Sequence, residues 1–178
     1  MADLTLSELS EKMRDIDFAV LSTRTPGGQI AARPMRNNRQ VDYDGDNYFF
    51  TLDDTGTVRD IESDANVGVS YQAKSGALGM KPFFITIEGQ AELIRDKNAF
   101  AEHWTKDLDK WFKDGIDTRG LVMVKVNAQR LHYWDGFDEG ELRLADTGSG
   151  KQVAERSEGN AAEHLEAEAG EDRGSARA

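Results

Sequence analysis

Strand-like runs follow one another at close spacing through this chain, with only turns or small helices between them. Asp17–Thr23 reads as a strand, and Pro26-Gly27-Gly28 turns it into a second that ends at Met35. Val41–Tyr43 and Tyr48–Phe50 flank Asp44-Gly45-Asp46, a hairpin signal. Val67–Tyr71 and the long run Phe83–Ile94 follow, the latter alternating Phe83, Ile85 and Ile87 against Phe84, Thr86 and Glu88. Leu121–Val126 and Gln129–Trp134 close the series, with Asn127-Ala128 as the turn between them. Seven or so short strands at this spacing predict a mainly β fold with small helices, a β-barrel rather than a βαβ sheet.

The helices have start signals of their own. Thr5-Leu-Ser-Glu8 has the spacing of a capping box opening a helix through Arg14. Asp96 opens an aromatic helical segment through about Phe112, with Phe100, Trp104, Leu108 and Trp111 three or four residues apart. Between the strands ending at Thr51 and beginning at Val67, the turn Thr51-Leu-Asp-Asp-Thr55-Gly-Thr57-Val-Arg59 leads into a helix through Ser63. Thr55 or Thr57 is its cap, and Thr57 with Asp60 has capping-box spacing. Three hydroxyls and a cation thus gather at a helix start, where unpaired amides and partial positive charge suit a phosphate. A chemical site in this chain is expected here.

Composition divides the chain. Of 178 residues, 38% are hydrophobic and 31% charged, a mismatch that implies a stretch outside any core. Ala145–Ala178 has only Val153 and Leu165 as sizeable apolar residues among eight acidic and four basic ones. Residues 1–144 are therefore expected to form the domain, and 145–178 an acidic, disordered tail with a transient helix over Ala161–Ala169. The net charge of −11 argues against nucleic acid as a partner. No run approaches the length of a membrane span, and the first residues lack a signal-peptide pattern. The absence of cysteine excludes disulfides and thiolate chemistry, so a cytoplasmic protein is the simplest reading. His103, His132 and His164 have no metal-ligand spacing, and neither a nucleophile elbow nor a glycine-rich phosphate loop occurs.

Taken in order, Ala32-Arg33-Pro34-Met35, Tyr48-Phe49-Phe50-Thr51, Asn66–Tyr71, Ile87-Glu88-Gly89-Gln90-Ala91, the Trp104…Trp111–Gly115 segment and His132-Tyr133-Trp134-Asp135 resemble the FMN-binding split-barrel superfamily. The nearer likeness is to its general-stress-protein branch, related to pyridoxamine-phosphate oxidase. The resemblance covers about residues 5 to 135. It implies a homodimeric split β-barrel with FMN at the interface. Arg33, Pro34 and Met35 would line the ring, Phe50, Thr51 and Leu52 would flank ring and ribityl chain, and Thr55 would bond the phosphate. The family's phosphate-binding lysine falls at Thr57, a departure that removes a counter-charge. Arg59 is the cation available in its place, although two residues along a helix turn a side chain by about 200°. Trp111 and Trp134 are candidates for aromatic contacts across the dimer, or for packing alone.

Each residue also has a plainer reading: Arg33 as a strand cation paired with a carboxylate, Met35 as core, Thr55 and Thr57 as caps, Arg59 as a solvated charge. Asp53 and Asp54, beside the phosphate turn, are expected to face solvent. The resemblance implies an FMN-binding flavoprotein with oxidoreductase activity on an unassigned substrate, and it requires no acid–base residue. The alternatives are a non-enzymatic flavin-binding or sensing protein, and a binder of a deazaflavin or, less favoured, a haem.

Overall fold

The computed structural model describes residues 4–38, 43–73, 82–146 and 151–160, with side chains described to residue 157. Helix α1 (Leu6–Arg14) opens with the expected capping box, Thr5 and Glu8 bonding each other's backbone amides. It buries Leu9 and Met13, four residues apart on one face. Strands β1 (Phe18–Arg24) and β2 (Ile30–Arg36) form a hairpin, followed by β3 (Asp46–Leu52), α2 (Gly56–Ser63), β4 (Asn66–Gln72) and β5 (Phe83–Ile94). Helix α3 (Lys97–His103) and two 3₁₀ turns, Lys106–Lys110 and Gly115–Asp117, lead to β6 (Leu121–Asp135), β7 (Asp138–Asp146) and β8 (Lys151–Asn160).

All the strands belong to one antiparallel sheet in the order β2-β1-β4-β5-β6-β7-β8, with β3 paired to β6 as a branch. The branch exists because β6 is long. Its first half, Leu121–Asn127, pairs with β3, and its second half, Arg130–Asp135, pairs with β7, while β5 runs along the other side of both. The turn expected at Asn127-Ala128 is therefore absent. Both residues lie inside one strand, and a bulge takes up the slack where Glu88 faces Arg130 but Gly89 faces Ala128. Gly89 is required there, because a Cβ would collide with the carbonyl oxygen of Asn127.

The main core lies between α1 and the sheet, with Leu21, Phe49, Val69, Ile85, Ile87 and Leu131 among its members. Phe50, the next residue on β3, points the other way into a second cluster with Phe100, Leu108, Leu121 and Met123. The helix expected over Asp96–Phe112 ends instead at His103, since Trp104 and Thr105 are extended, and a 3₁₀ turn carries Leu108 back onto Phe50. One local and one long-range bond hold that break: Trp104 Nε1 donates to Asp109 at 2.9 Å, and Arg36 reaches Asp107 at 2.9 Å. The strand expected at Val41–Tyr43 does not extend to Tyr43, which lies outside any strand, and Val41 and Asp42 lie outside the described residues.

Residues 145–146 and 151–160, expected within the tail, are instead strand. β7 continues to Asp146, and β8 pairs along it. Val153 packs against the main core, and Lys151 Nζ, only 6% exposed in its side chain, donates to the Ala128 carbonyl at 2.9 Å beside Asp46 at 3.3 Å. Ladder bonds and one buried cation thus supply what the apolar count lacked. Residues 161–178, including the expected transient helix, lie outside the described residues.

Candidate functional site

β3 delivers Thr51 and Leu52 to the start of α2, with Thr55 as the helix N-cap. The Thr51 and Thr55 hydroxyl oxygens are 3.3 Å apart, and the Thr55 hydroxyl donates to the Leu52 carbonyl at 2.8 Å. Thr55 makes no side-chain capping bond to the first-turn amides, so its hydroxyl leaves those donors free. Thr57, with Asp60 expected as a capping-box partner, does not cap: it is 4% exposed, and Asp60 points elsewhere. Arg59 stays exposed and folds back along the turn. Its Nη1 donates to the Asp54 carbonyl at 3.0 Å, and its Nη2 lies 3.8 Å from where a Cβ on Gly56 would stand. The length of the arginine side chain offsets the helical rotation, and its charge returns to the helix start. Asp53 is held away by Arg95, with Nη2 to Oδ1 at 2.6 Å.

The three ring-side candidates on β2 divide between two faces. Arg33 pairs in register with Leu21, and Met35 with Ala19, both buried. Pro34 is exposed opposite Val20. Met35 belongs to the main core and Phe50 to the second cluster, so neither offers a free side chain. Among the described residues, β2 is also the terminal strand of the sheet and runs beside β3 without pairing to it, which leaves a backbone edge at the split. The Arg33 guanidinium, 22% exposed, donates from Nη2 to Asp60 Oδ2 at 2.7 Å and from Nη1 to Thr23 Oγ1 at 2.9 Å. Thr23 in turn donates to Asp60 Oδ2 at 2.7 Å. Burial pulls the Asp60 carboxyl upward, but the Thr23 and Arg33 hydrogen bonds and the Arg33 charge outweigh it and leave its pKa lowered.

The two tryptophans stand apart. Trp111 is 61% exposed and meets Phe18 edge-on at 6.4 Å. Trp134 lies half-buried on the outer face of β6 against His132, whose Nε2 is 2.5 Å from Glu139. Asp60 and Thr23 were missed in the sequence. The signal available was an acid at a helix position flanked by Val58 and Ile61, both buried: a carboxylate there needs a cation, and Arg33 is one. Among the described residues, no group of three or more His, Asp or Glu side chains converges as a metal site, and no helix is long and apolar enough to cross a membrane.

Residues 5–147 match the family model described as pyridoxamine 5'-phosphate oxidase like. The chain belongs to that family. A curated relative of this pyridoxamine 5'-phosphate oxidase-like chain is the protein bli-3 of Neurospora crassa, 23% identical over 141 residues, 74% of this chain and 65% of that protein. The chain thus spans less than two thirds of that relative's length. Among solved structures, the fold is similar to general stress protein 26 of Bacillus anthracis, with a TM-score of 0.62, 22% identity, and 78% and 98% of the two chains covered. It is also similar to a heme binding protein of Mycobacterium smegmatis, with a TM-score of 0.59, 15% identity, and 91% of this chain and 60% of that one covered. These likenesses establish the split-barrel fold of the pyridoxamine 5'-phosphate oxidase-like family for this chain.

Proposed function

We propose that the chain is an FMN-binding flavoprotein, active as a homodimer and an oxidoreductase, with the cofactor's phosphate resting at the start of α2. The observation that carries this reading is the Thr51–Thr55 hydroxyl pair, 3.3 Å apart at a helix N-terminus that its own cap leaves open. The fit is good at that end. Thr51 and Thr55 would bond phosphate oxygens with the first amides of α2, and Arg59 would supply the counter-charge that Thr57 lacks. At the other end, Arg33 would offer guanidinium donors to the carbonyl-rich edge of the ring, while Pro34, Leu52 and the open edge of β2 line it. Trp111 and Trp134 are surface aromatics that a second copy could bring against the flavin. When bound, the flavin supplies the redox chemistry; the chain binds, orients and shields it. No residue is assigned as a proton donor or acceptor. Sensing or storage without turnover is the non-enzymatic form of the same reading, separated from it by whether the bound flavin is reduced by NADH or NADPH and re-oxidised by an acceptor.

A deazaflavin is the second reading, favoured by the burial of Thr57 where the family's lysine would stand. A haem has less support, since His132 is engaged by Glu139 and Trp134, and His103 stacks on Tyr48 at 3.7 Å. The test is titration of FMN, and separately a deazaflavin, into the full chain, read by flavin fluorescence and thermal melting. Micromolar or tighter FMN binding is expected, with stabilisation of about 2.7 kcal/mol at a hundredfold excess over Kd. Thr55→Ala and Arg59→Ala should each weaken it. A melting curve that FMN leaves unmoved sinks the FMN reading, and a shift with deazaflavin alone replaces it.

A further inference from the structure

Asp60 lies on the buried side of α2, 5% exposed, between Val58 and Ile61. A carboxylate in such a place is costly unless it is paired. Its Oδ2 atom takes Thr23 Oγ1 and Arg33 Nη2, each at 2.7 Å, and Arg33 Nη1 closes the triangle on Thr23 Oγ1 at 2.9 Å. One oxygen therefore ties together three elements: β1, β2 and α2.

We infer that Asp60 is a positioning residue for cofactor binding, fixing the Arg33 guanidinium at the ring end of the site to the same helix whose N-terminus holds the phosphate end. This rests on the flavin reading above. Arginine has five N–H donors, and two are used in the triangle. The remaining donors sit in a planar fork whose direction the two bonds set, on a side chain still 22% exposed. Without Asp60, that long side chain would sample many rotamers, and binding would have to order it. With Asp60, the order exists before the cofactor arrives. The spacing between Arg33 and the Thr55 turn is then a property of α2, since Asp60 is one helical turn beyond its start.

The experiment measures FMN Kd and the bound flavin's visible spectrum on the full chain. The variants are Asp60→Asn, Asp60→Glu, Thr23→Val, Arg33→Ala and the double variant Arg33→Ala/Asp60→Asn. Asp60→Asn should weaken FMN binding by about tenfold and alter the flavin spectrum, with Asp60→Glu recovering part of the loss. In the Arg33→Ala background, Asp60→Asn should change Kd by less than about twofold, because its effect passes through Arg33. Effects that multiply in the double variant, or an Asp60→Asn protein that binds FMN as wild type does while merely melting lower, would overturn the positioning role. If Asp60→Asn does not fold, Thr23→Val decides: a weakened Kd with an altered spectrum supports the role, and wild-type affinity removes it. Wild-type protein that does not bind FMN overturns the flavin reading itself, a result distinct from all of these.

Discussion

Arg33 shows how much one residue's role depends on its partner. On an alternating strand it is simply the inward-facing neighbour of Leu21, and an unpaired guanidinium there would be unfavourable. Asp60 and Thr23 make the position tenable, and Arg33 makes Asp60 tenable in return. Arg33→Ala should therefore cost about 2–4 kcal/mol near pH 7, most of it from the carboxylate left behind. The pH dependence has a definite sign. The native pKa of Asp60 lies below its ordinary value of 3.8, so the pair contributes stability above that value and loses it as pH falls through the native pKa. Denaturant midpoints of wild type and Arg33→Ala should differ most at neutral pH and converge below pH 3.8. A gap that stays constant down the acid range would mean that Arg33 contributes packing rather than charge.

At the scale of elements, legibility followed periodicity. The inward residues of β5 were readable because Phe83, Ile85 and Ile87 alternate with polar or exposed neighbours, and α1 was readable from its capping box. The hydroxyl turn at the start of α2 was readable for the same local reason. What could not be read depended on distant partners. The bulge opposite Gly89 looks like a turn in sequence, because Asn127-Ala128 has turn composition. Asp60 looks like half of a capping box until β1 and β2 are folded beside it. β8 looks like tail because its stability lies in ladder bonds and in Lys151, whose partners Asp46 and Ala128 are far away in sequence. Composition alone leads one to expect that cutting the chain after Leu144 is harmless. The structure reverses that expectation. Lys151→Ala should cost about 1–3 kcal/mol by stranding the Ala128 carbonyl and part of the charge on Asp46, which Lys125 only partly offsets at 3.3 Å. The truncated chain should melt lower still. Equal denaturant midpoints for wild type, Lys151→Ala and the truncation would show that β8 is not docked in solution.

At the scale of the whole molecule, one face of the sheet carries apolar side chains that the other described residues leave exposed. Phe18 and Val20 point outward from β1, Val20 opposite the exposed Pro34 on β2 and Ser70 on β4. Phe84 continues the face on β5 opposite Trp134 on β6, and Trp111 extends it past Phe18. Single exposed apolar side chains are ordinary, but several on one face of a sheet are what a second copy of the chain would be expected to cover. Between the two halves of this face β4 contributes the uncharged Ser70 and Gln72, while Arg36 stands opposite Phe18 and Glu139 opposite Trp134 at its borders. A twofold partner would cover the face with its own copy, since an isologous interface uses the same patch on both sides. It would also shelter the open edge of β2 and the flavin expected there. Val20→Asp with Phe84→Asp places a carboxylate on each half of the face without touching the core, because Val20 is 43% exposed and Phe84 38%. Light scattering should give a dimer for wild type and a monomer for the double variant, with the variant's far-ultraviolet circular dichroism unchanged. FMN affinity should fall with the dimer, because half of the cofactor's enclosure would be lost. A wild-type monomer that binds FMN tightly would mean that one chain encloses the cofactor alone, and that the exposed face serves another partner.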